Sequence, residues 1–204
     1  MAAQAGGTTC GDMELVQRAC GGESEAFAEL VARYQDYIYN AVIHLVNAAP
    51  DAEDIAQEVF LKAFRSMARF RQEAEFSTWI YGIMLNCVRS HWRLSRRRRL
   101  DVPLGDAPDG EGPGFEPASG EDGPLALTVR AERVAAVRSA IGRLDEELRE
   151  VLVLRDIEGL SYQQLARAFD LPLGTVKSRL FRARNALKEL IAPVLAAELD
   201  QETP

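Results

Sequence analysis

The sequence lacks any long hydrophobic run, and no apolar stretch approaches the roughly 20 residues that a helix needs to cross a bilayer. It also lacks the basic, then apolar, opening segment that is typical of a secretory signal peptide. We therefore expect a cytoplasmic protein that does not insert into a membrane by itself.

Cysteine and histidine are scarce. The thiols are Cys10, Cys20 and Cys87, an odd number with no Cys-x-x-Cys pair, and the histidines are only His44 and His91. This excludes the usual ligand spacing of a structural zinc site and favours buried or incidental thiols. A phosphate-cradling glycine loop and a Cys–His pairing are absent as well. We expect no metal, no cofactor and no enzymatic activity.

Lysine and arginine are absent from residues 101–128, which hold five prolines, six glycines and seven acidic residues. Such a composition buries too little apolar surface to fold, so it predicts a flexible acidic linker. The linker separates a domain at 23–100 from a second domain at 129–192. Residues 1–22 are expected to be an amino-terminal tail with the start of the first helix, and residues 193–204 a carboxy-terminal tail.

Turn signals that would divide β-hairpins are also missing, and apolar residues recur at spacings of three and four. The fold class predicted is all-α, with two small helical domains. The first domain offers helices over Ser24–Val46, from Pro50 to about Met67, and from about Ser77 into the arginines at 96–99. The second offers four helices, in which Val134 and Val137 are expected to join a buried stripe and Asp145 to cap a helix.

The net charge of −7 hides two basic segments. Residues 71–100 carry seven basic and two acidic side chains, and residues 161–190 carry six basic and two acidic ones. Two separated basic patches allow two contacts with nucleic acid.

Residues 161–188 predict a helix-turn-helix. Ser161 and Gln164 form a capping box, Asp170 to Gly174 break the helix, and Thr175 can cap a second helix. That helix has an apolar stripe and a basic face, the arrangement with which such a motif enters the DNA major groove. An ordinary helical hairpin with a solvated face is the alternative.

The second and third helices carry two further candidate faces. Leu61 lies among charged residues of the second helix, which indicates either a partner surface or a single harmless exposed leucine. On the third helix an arc of Asn86 and arginines is flanked by Trp79 and Trp92. Rings beside basic groups can stack on unpaired bases. Core tryptophans beside a solvated basic face are the alternative.

Three motifs resemble the extracytoplasmic-function sigma factors of the bacterial sigma-70 family. They are Asp-Ala-Glu-Asp-Ile-Ala-Gln-Glu-Val-Phe from residue 51, Phe-Ser-Thr-Trp-Ile-Tyr from residue 76, and Gly-Thr-Val-Lys-Ser-Arg-Leu-Phe-Arg-Ala-Arg from residue 174. The resemblance covers about 23–98 and 130–190. It implies an alternative sigma factor that binds core RNA polymerase, recognises the minus-thirty-five and minus-ten promoter elements and promotes promoter opening.

The resemblance also implies roles for individual residues. Core polymerase binding falls on Asp51, Asp54, Gln57, Glu58 and Leu61. Binding of the minus-ten element falls on Phe76, Ser77, Thr78, Trp79, Asn86, Arg89, Arg93 and Arg96. Binding of the minus-thirty-five element falls on Gly174, Thr175, Lys177, Ser178, Arg179, Phe181 and Arg182.

The partners implied are core RNA polymerase, promoter DNA and a separate anti-sigma factor. Gly82 and Ser90 stand where relatives often carry arginine and aspartate, so the details of minus-ten recognition stay open. Two other classes remain as alternatives: a free-standing helix-turn-helix regulator, and a polymerase-binding adaptor that never reads DNA.

Overall fold

The computed structural model describes residues 11–71, 74–101 and 134–201, and every regular element within these ranges is helical. The helices are α1 (Asp12–Cys20), α2 (Ser24–Val46), α3 (Ala49–Ser66), α4 (Phe76–Asp101), α5 (134–142), α6 (Glu146–Leu152), α7 (Tyr162–Phe169) and α8 (Leu173–Gln201). The all-α fold class is confirmed for these ranges. The linker predicted at 101–128 lies outside them, except for Asp101 at the end of α4.

Helices α2, α3 and α4 pack around one apolar core because each has a continuous buried stripe. Leu30, Ile38 and Leu45 of α2 are fully buried, as are Val59 of α3 and Met84 of α4. Helix α2 ends where Asn47 adopts a left-handed conformation (φ 56°), which asparagine tolerates better than most residues. These three helices follow the sequence prediction closely.

Within residues 1–22, expected to hold a tail and the start of the first helix, the structure has a separate helix, α1, from Asp12 to Cys20. Leu15 and Val16 are buried against α2, and Arg33 of α2 donates a hydrogen bond to Asp12 at 2.7 Å. The Tyr34 hydroxyl also donates to Asp12. The segment therefore belongs to the first helical domain.

The second domain is built around α6, α7 and α8. Helix α6 continues into a single π-helical turn (Val153–Ile157), which ends before Gly159 at φ 76°. Ser161 and Gln164 form the predicted capping box, with each side chain bonding the other's backbone N–H. Asp170 reverses the chain in the left-handed region, at φ 53°.

Four expectations for this domain were wrong. Val134 and Val137 are exposed, since only Ile141 and Leu144 at the end of their stripe reach the core. Asp145 holds the N-cap position of α6 but its side chain makes no capping hydrogen bond. Thr175 caps nothing, because α8 begins two residues earlier, at Leu173. The tail expected from residue 193 is helical up to Gln201.

The two domains lie directly against each other. Helix α4 packs on α7, and the π-helical turn packs on α2. Arg149 donates a hydrogen bond of 2.8 Å to the backbone carbonyl of Leu45, and a Cβ atom on Gly82 would lie 3.7 Å from the Ala168 carbonyl oxygen. One face of α4 is therefore covered by the second domain.

Candidate functional site

The face predicted to bind polymerase is exposed along α3. Asp54, Gln57 and Glu58 are exposed, and Leu61 is 55% exposed at the end of the row. Asp51 lies apart from them, because its carboxylate turns toward His91 of α4 at 3.4 Å. The structure thus brings four of the five predicted residues onto one open surface.

An apolar groove beside this row escaped the sequence prediction. It measures about 780 Å³ between α2 and α3 and is lined by Phe27, Tyr39, Phe60, Leu61 and Phe64 among others. Phe64 is 55% exposed, and its ring packs edge-on against Phe27 at 5.2 Å. The sequence does contain an indication of this groove, because Phe64 lies three residues after Leu61 and so shares its helical face.

The amino-terminal part of the predicted minus-ten site is largely core. Phe76 is 4% exposed within a cluster of rings, at 5.1 Å from Tyr34 and 5.7 Å from Trp79. Thr78 is 3% exposed, and its hydroxyl has no hydrogen-bond partner among the described residues. Phe76 and Thr78 therefore do not face solvent here, whereas Ser77 and Trp79 are partly exposed.

The residues of the basic arc of α4 differ in exposure and pairing. Asn86, Arg93 and Arg96 are exposed, and Arg96 also pairs with Glu146 of α6 at 3.1 Å. Arg89 instead donates two hydrogen bonds of 2.7 Å to Glu150 of α6, a carboxylate that is 1% exposed. These bonds raise the pKa of Arg89, so the guanidinium stays charged. Burial raises the pKa of Glu150, and the pairing with Arg89 opposes that rise.

The sequence predicts Trp92 at the edge of the exposed arc, but in the structure this side chain is buried, with 8% of its surface exposed. The Arg149 guanidinium lies over its ring at 5.4 Å. The structure therefore favours the alternative interpretation for this tryptophan, as a core residue at the domain contact rather than a stacking platform.

A second carboxylate, half-buried, lies at the domain contact. The Tyr81 hydroxyl donates a hydrogen bond of 3.2 Å to Glu158. Burial raises the pKa of Glu158 to about 7, a rise that this hydrogen bond opposes. Burial likewise raises the pKa of Tyr81. Sequence periodicity gave no signal for this pair, because the two residues are 77 positions apart.

The outer face of α8 matches the predicted minus-thirty-five site. Gly174, Lys177, Ser178 and Arg182 are exposed, and Phe181 is 68% exposed. Opposite them, the buried stripe of α8 contains Val176, Leu180 and Ala183.

Two predicted residues of α8 are less accessible. Thr175 is half-buried, and its backbone N–H donates to the Pro172 carbonyl at 2.9 Å. Arg179 has a side chain that is 19% exposed and forms a 3.1 Å ion pair with Glu147 of α6.

The described residues contain no cluster of side chains suited to hold a metal ion. No helix among them is both long and apolar enough to span a bilayer. Burial raises the pKa of Cys87, which keeps that thiol protonated and unreactive.

Comparison with known proteins gives consistent matches for both domains. Residues 30–98 match the family profile "Sigma-70 region 2", and residues 135–187 match "Sigma-70, region 4". The chain is 39% identical over 187 residues to the RNA polymerase sigma-H factor of Pseudomonas aeruginosa, covering 90% of this chain and 95% of that protein. It is 35% identical over 187 residues to the ECF RNA polymerase sigma-E factor of Escherichia coli K12, covering 90% and 96% respectively.

Two solved structures resemble this fold. CnrH, in complex with the cytosolic domain of CnrY, superposes with a TM-score of 0.63 at 28% identity, covering 94% of this chain and 99% of that one. The sigma factor RpoE of Bartonella quintana, in complex with the anti-sigma factor NepR, gives a TM-score of 0.64 at 25% identity, covering 81% and 96%.

Proposed function

We infer the function of this chain from its family: it belongs to the extracytoplasmic-function (ECF) sigma factors, a branch of the sigma-70 family of transcription initiation factors. As such a factor it binds core RNA polymerase, recognises the minus-thirty-five and minus-ten promoter elements, and promotes promoter opening. It supplies recognition and DNA melting rather than covalent chemistry.

One observation carries this conclusion: two different interaction surfaces are open at the same time on one chain. The first is the acidic row of α3 beside the apolar groove at Leu61. The second is the basic face of α8 around Phe181. A free-standing regulator needs only the DNA face, and a polymerase adaptor needs only the first face.

For polymerase binding we propose Asp54, Gln57, Glu58 and Leu61, with Asp51 at the edge. Leu61 is half-exposed beside a groove, so a partner helix can bury it without any rearrangement of α3. The carboxylates around it would set the orientation of a basic partner surface and speed its association. Phe64 extends the apolar part of this surface.

For the upstream element we propose the exposed face of α8, in which Arg182 reads a base edge and Phe181 contacts a thymine methyl group or sugar. Lys177 and Ser178 contact phosphates, and Arg179 joins them once it leaves Glu147. Gly174 and Thr175 position the start of the helix.

For the minus-ten element we propose Asn86, Arg89, Arg93 and Arg96 as the basic track for a single strand. Ser77 and Trp79 lie at its amino-terminal end. Because Phe76 and Thr78 are buried, we propose that they position the loop and the start of α4 instead of touching DNA.

We further propose that a separate anti-sigma factor regulates this chain in the cytoplasm, where the polymerase acts. Support comes from the two solved relatives, because RpoE is held by an anti-sigma factor and CnrH by the cytosolic domain of CnrY.

The test is promoter-dependent transcription from genomic DNA with purified core polymerase. Specific start sites should appear only when both proteins are present.

The double variant Leu61→Ala/Asp54→Ala should lower core affinity and transcript yield while keeping the fold. A matched control is Met13→Ala/Glu14→Ala on α1, where Met13 is 54% exposed and Glu14 is exposed. Tight duplex binding by the chain alone, with no polymerase-dependent transcript, would support the regulator instead.

A further inference from the structure

A cleft of about 710 Å³ lies between α4, α6 and α8. Its volume falls within the range of roughly 300–1,000 Å³ that is usual for small-molecule sites in proteins. The charged side chains that line it are Arg89, Arg93, Arg96, Arg179, Glu146, Glu147 and Glu150. Four positive charges against three negative ones leave an excess of one positive charge, in a chain whose net charge is −7. The cleft is therefore suited to an anionic ligand.

Arg93 carries this excess charge. Among the described residues it has no carboxylate partner, and its guanidinium donates a hydrogen bond of 2.9 Å to the Ser90 hydroxyl. That hydroxyl in turn donates to the backbone carbonyl of Asn86 at 2.8 Å. Because a neutral hydroxyl orients the guanidinium without cancelling its charge, Arg93 is held ready for an anion.

Arg179 is a second cation of the cleft whose partner is easily replaced. Its side chain is 19% exposed, whereas the side chain of its partner Glu147, at 3.1 Å, is 67% exposed. A carboxylate that lies largely in water is screened and contributes little to such a pair. A phosphate group that enters the cleft would replace it with charge-assisted hydrogen bonds. Arg93 and Arg179 thus provide phosphate-binding groups on opposite walls.

Arg89 provides a planar surface rather than a free charge. Its guanidinium donates two hydrogen bonds of 2.7 Å to Glu150, which fix its orientation and neutralise it. It lies 5.9 Å from the centre of the Phe169 ring, and the Arg89 side chain is still 39% exposed. Unpaired nucleobases stack on arginine planes of this kind. The apolar side chain of Leu171 lines the cleft beside it.

Asn86 lies on the same face of α4, one turn before Arg89. Its side-chain amide has no hydrogen-bond partner among the described residues, so it can offer a donor and an acceptor to a base edge. Asn86 and Arg93 are seven residues apart, which places them about 10 Å apart along the helix axis. This is close to the distance between the base and the terminal phosphate of a nucleoside diphosphate.

We propose that this cleft is a binding site for a nucleoside diphosphate. The base stacks on Arg89 and is contacted by Asn86, while Arg93 and Arg179 hold the phosphates. The inference rests on the composition and geometry of the cleft and does not depend on the DNA-binding roles proposed above. Because the ligand contacts both α4 and α8, its binding stabilises the contact between them by mass action.

Isothermal titration calorimetry of the full chain tests the site, in a buffer without divalent cations. The probes are ADP, inorganic pyrophosphate and adenosine. One ADP should bind per chain with a submillimolar Kd, and pyrophosphate and adenosine should each bind at least tenfold more weakly. Absence of ADP binding overturns the proposal. So does equal affinity for ADP and pyrophosphate, because the cleft would then attract anions without recognising a nucleoside.

Removal of the phosphate-binding charges locates the ligand. Arg93→Gln/Arg179→Gln should weaken ADP binding at least tenfold. The matched control is Arg97→Gln/Arg167→Gln, which removes the same charge from two exposed arginines outside the cleft and should cost less than twofold. Equal losses in the two double variants overturn the proposal, because they reveal only net charge.

Two single variants keep the proposal testable if Arg93→Gln/Arg179→Gln does not fold. Glu147→Gln frees Arg179 and should tighten ADP binding at least threefold, whereas the control Glu14→Gln on exposed α1 surface should leave it unchanged. Asn86→Ala should weaken ADP binding at least threefold and leave pyrophosphate binding unchanged. No gain in Glu147→Gln, or a loss in Asn86→Ala that is equal for both probes, overturns the assignment of these residues and with it the proposed site.

Discussion

Removing the two exposed apolar side chains of the α2–α3 groove should weaken binding to core polymerase while barely changing the fold. The perturbation is Leu61→Ala/Phe64→Ala. Both side chains are 55% exposed, so about half of the surface of each is open to solvent in the free protein. A partner that fills the groove of about 780 Å³ would cover the remainder.

The magnitude follows from that exposure. Burying a whole leucine or phenylalanine side chain contributes roughly 1.5–3 kcal/mol, so the exposed half of each is worth about 1–1.5 kcal/mol on binding. Together the two truncations should cost about 2–3 kcal/mol, which is a loss of roughly 30- to 150-fold in affinity. By the same reasoning, the part of each side chain that is already buried contributes about 0.7–1.3 kcal/mol to folding. The free energy of unfolding should therefore fall by about 1.5–2.5 kcal/mol, part of it because the Phe64 ring no longer packs on Phe27.

The assay is fluorescence anisotropy of labelled chain titrated with core polymerase, accompanied by urea unfolding of each variant. Met13→Ala is the control, since Met13 is 54% exposed on α1 and lies outside the groove. A loss below threefold in the double variant would refute the docking role of this groove. So would a comparable loss in the control, because the effect would then come from general surface change.

Three further predictions concern the second domain. Arg182→Ala should cost roughly 1–3 kcal/mol on duplexes carrying the matching upstream base and less on duplexes with that base changed; an equal loss on every sequence would indicate a phosphate contact. Burial raises the pKa of Glu158 to about 7 in the folded chain, from an ordinary value of 4.5. The stability that this group contributes is therefore complete below pH 4.5 and lost as the pH rises through 7, and Glu158→Gln should flatten this part of the pH profile in urea unfolding. Ser161→Ala should lower the free energy of unfolding by about 0.5–2 kcal/mol in urea, since the capping box loses a partner; no change would mean that the cap is energetically idle.

Local signals were enough to predict most of the helices. The bounds Ser24–Val46 of α2 follow from an apolar stripe sustained for six turns, and the capping box at Ser161 is a purely local pattern. Neither depends on anything distant in the chain. Both therefore survive in the structure as the sequence predicts them.

Elements that depend on tertiary contacts were missed. Helix α1 is nine residues long between glycines, and it persists because Leu15 and Val16 bury against α2. The prediction of a fully buried stripe on α5 was wrong for the opposite reason. Val134 and Val137 lie beyond the core that contains Ile141, so they remain exposed. Periodicity shows that a stripe exists, but not how far its partner reaches.

The same limit explains the candidate site. Periodicity correctly placed Arg89 away from the core of the first domain, and the resemblance then assigned it to DNA. Its actual partner, Glu150, lies 61 residues away in another domain. Periodicity shows which face of a helix points away from the core of its own domain. It does not show whether another domain covers that face.

The two DNA faces consequently differ in availability within the free chain. On α8, Phe181 is 68% exposed and Arg182 is exposed, whereas Arg179 is held by Glu147 of α6. On α4, Arg89 donates two hydrogen bonds to Glu150, and Arg96 is paired with Glu146. Separation of the domains should therefore increase binding of single-stranded DNA much more than binding of duplex DNA. Measuring the affinity of Glu150→Arg for a single-stranded and for a duplex oligonucleotide gives this difference. An equal gain on both would mean that the second domain does not cover the DNA face of α4.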